Sequence, residues 1–190
     1  MKRNNLIKLL TEYEPSINEA DAKPKMLEFV QANPNCFERE LAIGHITGSA
    51  WLLNREGDKA LLMHHLKLNK WLQPGGHADG ETDILSVAIK EAREESGINA
   101  IEPVMKNIFD LDIHEIPSNA KNKAHFHYDV RFLLQVTSDE RLVLNEEAHE
   151  LKWFGKNKAN LPTQEDSVTR MFDKWMGLEG KNLGLKLLAL

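Results

Sequence analysis

The feature that most constrains this chain is a 23-residue stretch from Gly76 to Ile98, reading GHADGETDILSVAIKEAREESGI. The preceding Gln73-Pro74-Gly75-Gly76 reads as a tight loop whose bare backbone can approach an ion or a phosphate closely. Residues 82–96 then read as a helix, and Gly97 stands where a C-terminal cap belongs. Leu85, Ala88, Ile89 and Ala92 give this helix an apolar face that needs a sheet to pack on. Glu91, Glu94 and Glu95 stand at i, i+3 and i+4 and project together from the other face. Like charges so close destabilise a helix. A cation offsets that repulsion, and hard carboxylate oxygens suit Mg²⁺ or Mn²⁺. Most glutamate-rich helices are only solvated acidic faces; the Pro-Gly-Gly loop and the timed Gly97 set this one apart.

The rest of the chain supplies the sheet. Residues 43–54 and 59–66 read as strands joined by a turn at Arg55-Glu56-Gly57-Asp58. Alternating stretches follow around 107–115 and 125–136, then a short strand around 149–154 and a helix over 163–178. Ahead of them, residues 2–13 show helical spacing. Ser16 can cap a second helix that Pro24 kinks or splits and that stops near Asn33-Pro34. The expected architecture is α/β, with a helical extension over 1–41 and a layered domain over 42–190.

The stretch from Gly76 resembles the box of the Nudix (MutT-like) hydrolase family. That box runs glycine, five residues, glutamate, seven residues, Arg-Glu, an aliphatic, any residue, Glu-Glu, any residue, glycine, an aliphatic. Gly76, Glu91, Ala92, Glu94, Glu95, Gly97 and Ile98 fill their places without a gap. Thr82 stands at the first box glutamate, with Glu81 one residue early, and Lys90 stands at the box arginine. Lys90 keeps the charge but lacks the planar fork of arginine. The resemblance implies an α/β/α sandwich with a mixed central sheet. It implies hydrolysis of a diphosphate linkage in a nucleoside diphosphate derivative or similar small molecule, with Mg²⁺ or Mn²⁺ as cofactor. By position, Glu94 and Glu95 are the main metal ligands and Glu91 a further ligand or general base. The Gly75 carbonyl resembles another ligand position. Glu147, ahead of Trp153, matches the later-loop glutamate that many members add, with Glu150 as alternative. No additional motif marks the coenzyme A, ADP-ribose or dinucleoside polyphosphate branches.

Other residues invite roles. In HFHYDVRFLL, His125, His127, Asp129 and Arg131 alternate with apolar residues. In IFDLDIH, Asp110, Asp112 and His114 do so. If the two strands pair, their polar faces either line a substrate cleft or form one wet face. His77, His127 and Arg131 are the substrate candidates; His125 and His127 alone make a weak metal pair. Trp51, Trp71, Trp153 and Trp175 read as core, and the stripe Val168, Met171, Phe172, Trp175 and Leu178 as a packing face or a homodimer contact. A net charge of -5 gives no electrostatic reason to bind nucleic acid, and no DNA-binding motif is present. No stretch is long and apolar enough for a bilayer, and the lone Cys36 fits a reducing compartment, so the expected setting is cytoplasmic. Two other readings remain: a silent nucleotide-sensing module of the same fold, and an isomerase of isopentenyl diphosphate. The first would ordinarily have lost box glutamates. The second needs a reactive cysteine, and Cys36 lies in a turn outside the domain.

Overall fold

The computed structural model describes residues 3–118 and 123–178. Helix α1 spans Asn4–Glu12. A short 3₁₀ turn, Ile17–Glu19, follows Ser16, whose hydroxyl and backbone N–H both bond the Glu19 carboxylate. Helix α2 spans Ala22–Ala32. Pro24 therefore splits the expected second helix rather than kinking it. It sits in the first turn of α2, where a missing N–H costs nothing.

Strands β1 (Gly44–Leu53), β2 (Lys59–His65), β3 (Lys70–Leu72) and β4 (Gly75–His77) precede helix α3, Ile84–Ser96. Then come β5 (Ile101–Pro103), β6 (Asp110–Ile116), β7 (His125–Val136), β8 (Ala148–Gly155) and helix α4, Asp166–Met176. The long strands and both domain helices fall close to where the patterning puts them. Strands β3 and β5, with three residues each, are too short to show a period. Gly75 and Gly76 are strand residues rather than loop, because β4 pairs antiparallel with Thr47–Ser49 of β1. Helix α3 starts at Ile84 because Asp83 is extended and its carboxylate accepts from Ser86 N–H. Gly97, at φ 75°, closes the helix in the left-handed region.

The sheet is mixed. Strand β1 runs parallel to β7 along its whole length and antiparallel to β2 and β4; β7 also pairs with β5 and β6, and β2 with β3 and β8. Each face has its own core. On one, Ile46, Ala50, Val130 and Phe132 meet Ile84, Val87, Ala88 and Ala92 of α3. Gly48 lies under α3, where a Cβ would come within 3.0 Å of Ile84 and Val87. The same cluster takes in Leu6, Leu10, Met26, Phe29 and Cys36, so the N-terminal helices share this core. Phe29 stacks on Tyr128 with centroids 3.7 Å apart. On the other face Trp51, Leu53 and Leu133 pack against Val168, Met171, Phe172 and Trp175, so that stripe of α4 is a packing face. No helix among the described residues is long and apolar enough to cross a membrane.

Candidate metal and active site

Strand β4 and helix α3 build the site between them. Gly75 N–H donates to Glu95 Oε2 at 2.9 Å. Gly76 leaves room for Glu91: a Cβ there would stand 2.5 Å from Glu91 Oε2. The expectation of three glutamates on one open face needs refinement. The Glu94 side chain is 58% exposed and that of Glu91 15%, while Glu95 is buried at 4%. The helix turns Glu95 inward toward the sheet, and its deeply buried apolar residues are Ile84, Val87, Ala88 and Ala92, with Leu85 and Ile89 half-buried.

Burial pushes the Glu95 carboxyl up to about 8; the Gly75 N–H opposes this, and the charges of Glu91, Glu147 and Glu94 add to it. Glu147 is thereby placed in the electrostatic neighbourhood of the helix glutamates, on the exposed turn before β8. Glu150 is held opposite His64 in the β2–β8 pairing. Lys90 lies between two of the glutamates, with Nζ 2.9 Å from Glu91 Oε1 and 3.1 Å from Glu94 Oε2. Its ammonium neutralises part of the acidic face from the box-arginine position. Glu81 supports the loop instead of Thr82: its carboxylate accepts from the N–H groups of Thr82 and Asp83 at 2.6 and 2.9 Å.

These oxygens suit a hard divalent ion by chemistry and by placement. A buried carboxyl that repels three others gains from a cation, and the Gly76 cradle keeps Glu91 within reach of the loop. A feature absent from the sequence reading is Arg39, which forms a two-pronged ion pair with Asp79 and adds its positive field at Glu91 and His77. It lies before β1, far from the box in sequence, so no spacing rule could find it.

The three substrate candidates separate. His77 and His127 meet each other, with ring centroids 5.1 Å apart, in a histidine cluster on the β1–β4–β7 face. Arg131 is a correction: it is 1% exposed and lines no cleft. Its three guanidinium nitrogens face Asp129, Asp110 and Asp112 at 2.7, 3.0 and 3.3 Å. Strands β6 and β7 do pair, with Asp110 opposite Arg131 and Asp112 opposite Asp129. Around Arg131 that polar face is covered, because α4 adds Arg170 and Lys174 to Asp110, while His114 on the same face stays part-exposed. Burial would penalise each charge alone, so the network holds only as a set. A cavity of about 660 Å³ between α2 and the β6–β7 edge contains none of Glu91, Glu94, Glu95 and Glu147.

The family model of the NUDIX domain matches residues 45–176. The chain belongs to the Nudix family. Over 94 residues it is 35% identical to a probable DHNTP pyrophosphohydrolase of Lactococcus lactis subsp. cremoris, a match covering 48% of this chain. The chain spans about half of that relative's length, 55%. A NUDIX-family hydrolase structure from Clostridium perfringens shares 27% identity at a TM-score of 0.51, covering 71% of this chain and 98% of that one. A UDP-X diphosphatase structure covers 93% of both chains at 14% identity and a TM-score of 0.51, a likeness of fold that reaches beyond the Nudix domain itself.

Proposed function

We propose that this chain is a metal-dependent hydrolase that cleaves a diphosphate linkage in a nucleoside diphosphate derivative or a similar small molecule. The observation that carries the reading is the junction of β4 and α3, where Glu91, Glu94 and Glu95 meet the Gly75-Gly76 backbone. Glu94, Glu95 and the Gly75 carbonyl would hold Mg²⁺ or Mn²⁺, with Glu91 and Glu147 as further ligands or bases. When bound there, such an ion would supply Lewis acidity and a more acidic water. The chain's own residues do the rest. Glu91 or Glu147 accepts the proton of the attacking water, and the half-exposed Arg39 lends positive field to an incoming phosphate. Cys36 is buried in the apolar core, which pushes its thiol up to about 11, so it does not offer the accessible reactive cysteine that the isomerase reading needs. We place the enzyme in the cytoplasm.

A screen of diphosphate compounds with Mg²⁺ or Mn²⁺, read by phosphate release after phosphatase coupling, tests the reading. Turnover of at least one compound is expected, and Glu94→Gln should abolish most of it without unfolding the chain. Undiminished metal-dependent turnover in that variant would remove the site assignment. No turnover with any compound or metal would leave a nucleotide-binding module.

A further inference from the structure

We infer that His45, His77 and His127 form a second metal site, for a transition-metal ion of the Zn²⁺ class, distinct from the carboxylate site. The three imidazoles come from β1, β4 and β7, and strand register brings them together: His45 is paired with His127, and His77 with Thr47. One ligand atom from each lies within 4.8 Å of the other two. Ring centroids stand 4.9 to 5.1 Å apart. His45 is 2% exposed, yet neither of its ring nitrogens has a hydrogen-bond partner among the described residues, and Nε2 of His127 is likewise buried and unpartnered.

Buried polar atoms are nearly always bonded, and leaving one unsatisfied carries the full cost of its desolvation. One nitrogen of His45 and Nε2 of His127 are therefore left for a shared partner, and His77 brings a third ligand atom within 4.8 Å of them. The ordinary fate of core histidines, a carbonyl or hydroxyl partner, is not met here. The donor set is three neutral nitrogens with no thiolate or carboxylate, which suits Zn²⁺ and its neighbours and not Mg²⁺. Zn–N bonds of about 2.0–2.1 Å place tetrahedral ligands roughly 3.3–3.4 Å apart, so ring rotations of about an ångström close the set. Two further histidines flank it. His114 is held by Asp112 at 2.9 Å and His125 by the Lys123 carbonyl at 2.8 Å, each through Nδ1. Their rings lie 5.5 and 5.4 Å from His127. Held this way, they stand beside the three imidazoles without bonding to them. Three protein ligands leave a fourth position for water or an anion. Since His77 ends β4, the ion would also pin the strand that carries Gly75.

The test is independent of the hydrolase reading. Metal-free full-length protein is titrated with Co²⁺ in excess Mg²⁺, which occupies the carboxylate site. One equivalent should develop the intense visible bands of four- or five-coordinate cobalt, and Zn²⁺ should bleach them. Glu94→Gln should keep the bands; His45→Gln and His127→Gln, with folding checked by circular dichroism, should lose them. A weak octahedral spectrum, or bands lost in Glu94→Gln and kept in both histidine variants, overturns the proposal. Should the histidine variants fail to fold, X-ray absorption on the zinc-loaded wild type decides. A nitrogen shell with several imidazoles supports the site, and an oxygen shell overturns it.

Discussion

At the scale of single residues, adjacent glycines in β4 do different work. A Cβ on Gly75 would come within 2.1 Å of Ser49 Oγ and 2.9 Å of its Cα, so it strikes a neighbouring strand. The nearest atoms to a Cβ on Gly76 all belong to the end of the Glu91 side chain. Gly75→Ala is therefore expected to destabilise the fold by about 1–3 kcal/mol, in the range of overpacking. Gly76→Ala should leave the urea midpoint nearly unchanged while displacing Glu91, with turnover falling at least about tenfold, equivalent to ~1.4 kcal/mol. Equal loss of stability in both variants would show that Gly76 supports the fold and not the site. The sequence marked Gly76 by its box position; its reason, contact with Glu91, needed the folded pairing of β4 with β1.

At the scale of elements, strands β6 and β7 were legible as alternating segments, and the register between them was not. Period-two alternation states which residues share a face and says nothing of whether that face is wet. Here α4 covers the part around Arg131, and that part of the polar stripe becomes a buried lattice of Arg131, Asp110, Asp112, Asp129, Arg170 and Lys174. Thr47 and Ser49 complete it by donating to Asp129 at 2.8 Å. Removing one partner leaves buried charge uncompensated. Arg131→Met is expected to cost about 3–5 kcal/mol in urea unfolding, and adding Asp129→Asn should recover part of that. A loss under about 1 kcal/mol would mean that the network is hydrated and contributes little.

At the scale of the whole molecule, the N-terminal segment is tied to the domain through Glu19. This carboxylate is 1% exposed. It accepts from Tyr13 Oη at 2.5 Å and from Leu111 N–H at 2.9 Å, and it pairs with Lys174 of α4. Burial raises its pKa, but the bonds from Lys174, Ser16, Tyr13 and Leu111 outweigh burial and hold it down at about 2. Between pH 4.5 and 2 the unfolded chain takes up this proton and the folded one does not. Stability from this group is therefore complete above about pH 4.5 and is lost as pH falls toward 2. Unfolding free energy measured across that window should drop by a few kcal/mol more in the wild type than in Glu19→Gln. Parallel curves for the two proteins would remove Glu19 as the acid-sensitive tie.

The sequence by itself determined the glutamate helix, its glycine loop, the long strands and the stripe of α4, because each is written in local spacing that a helix or strand must obey. Tertiary structure alone decided which of these residues meet. It turned Glu95 inward beneath Gly75, sealed Arg131 among carboxylates, and set Arg39 beside the acidic face from outside the box. It also gathered His45, His77 and His127 from three strands far apart in the chain. Register and burial are properties of packed surfaces, and local spacing carries neither.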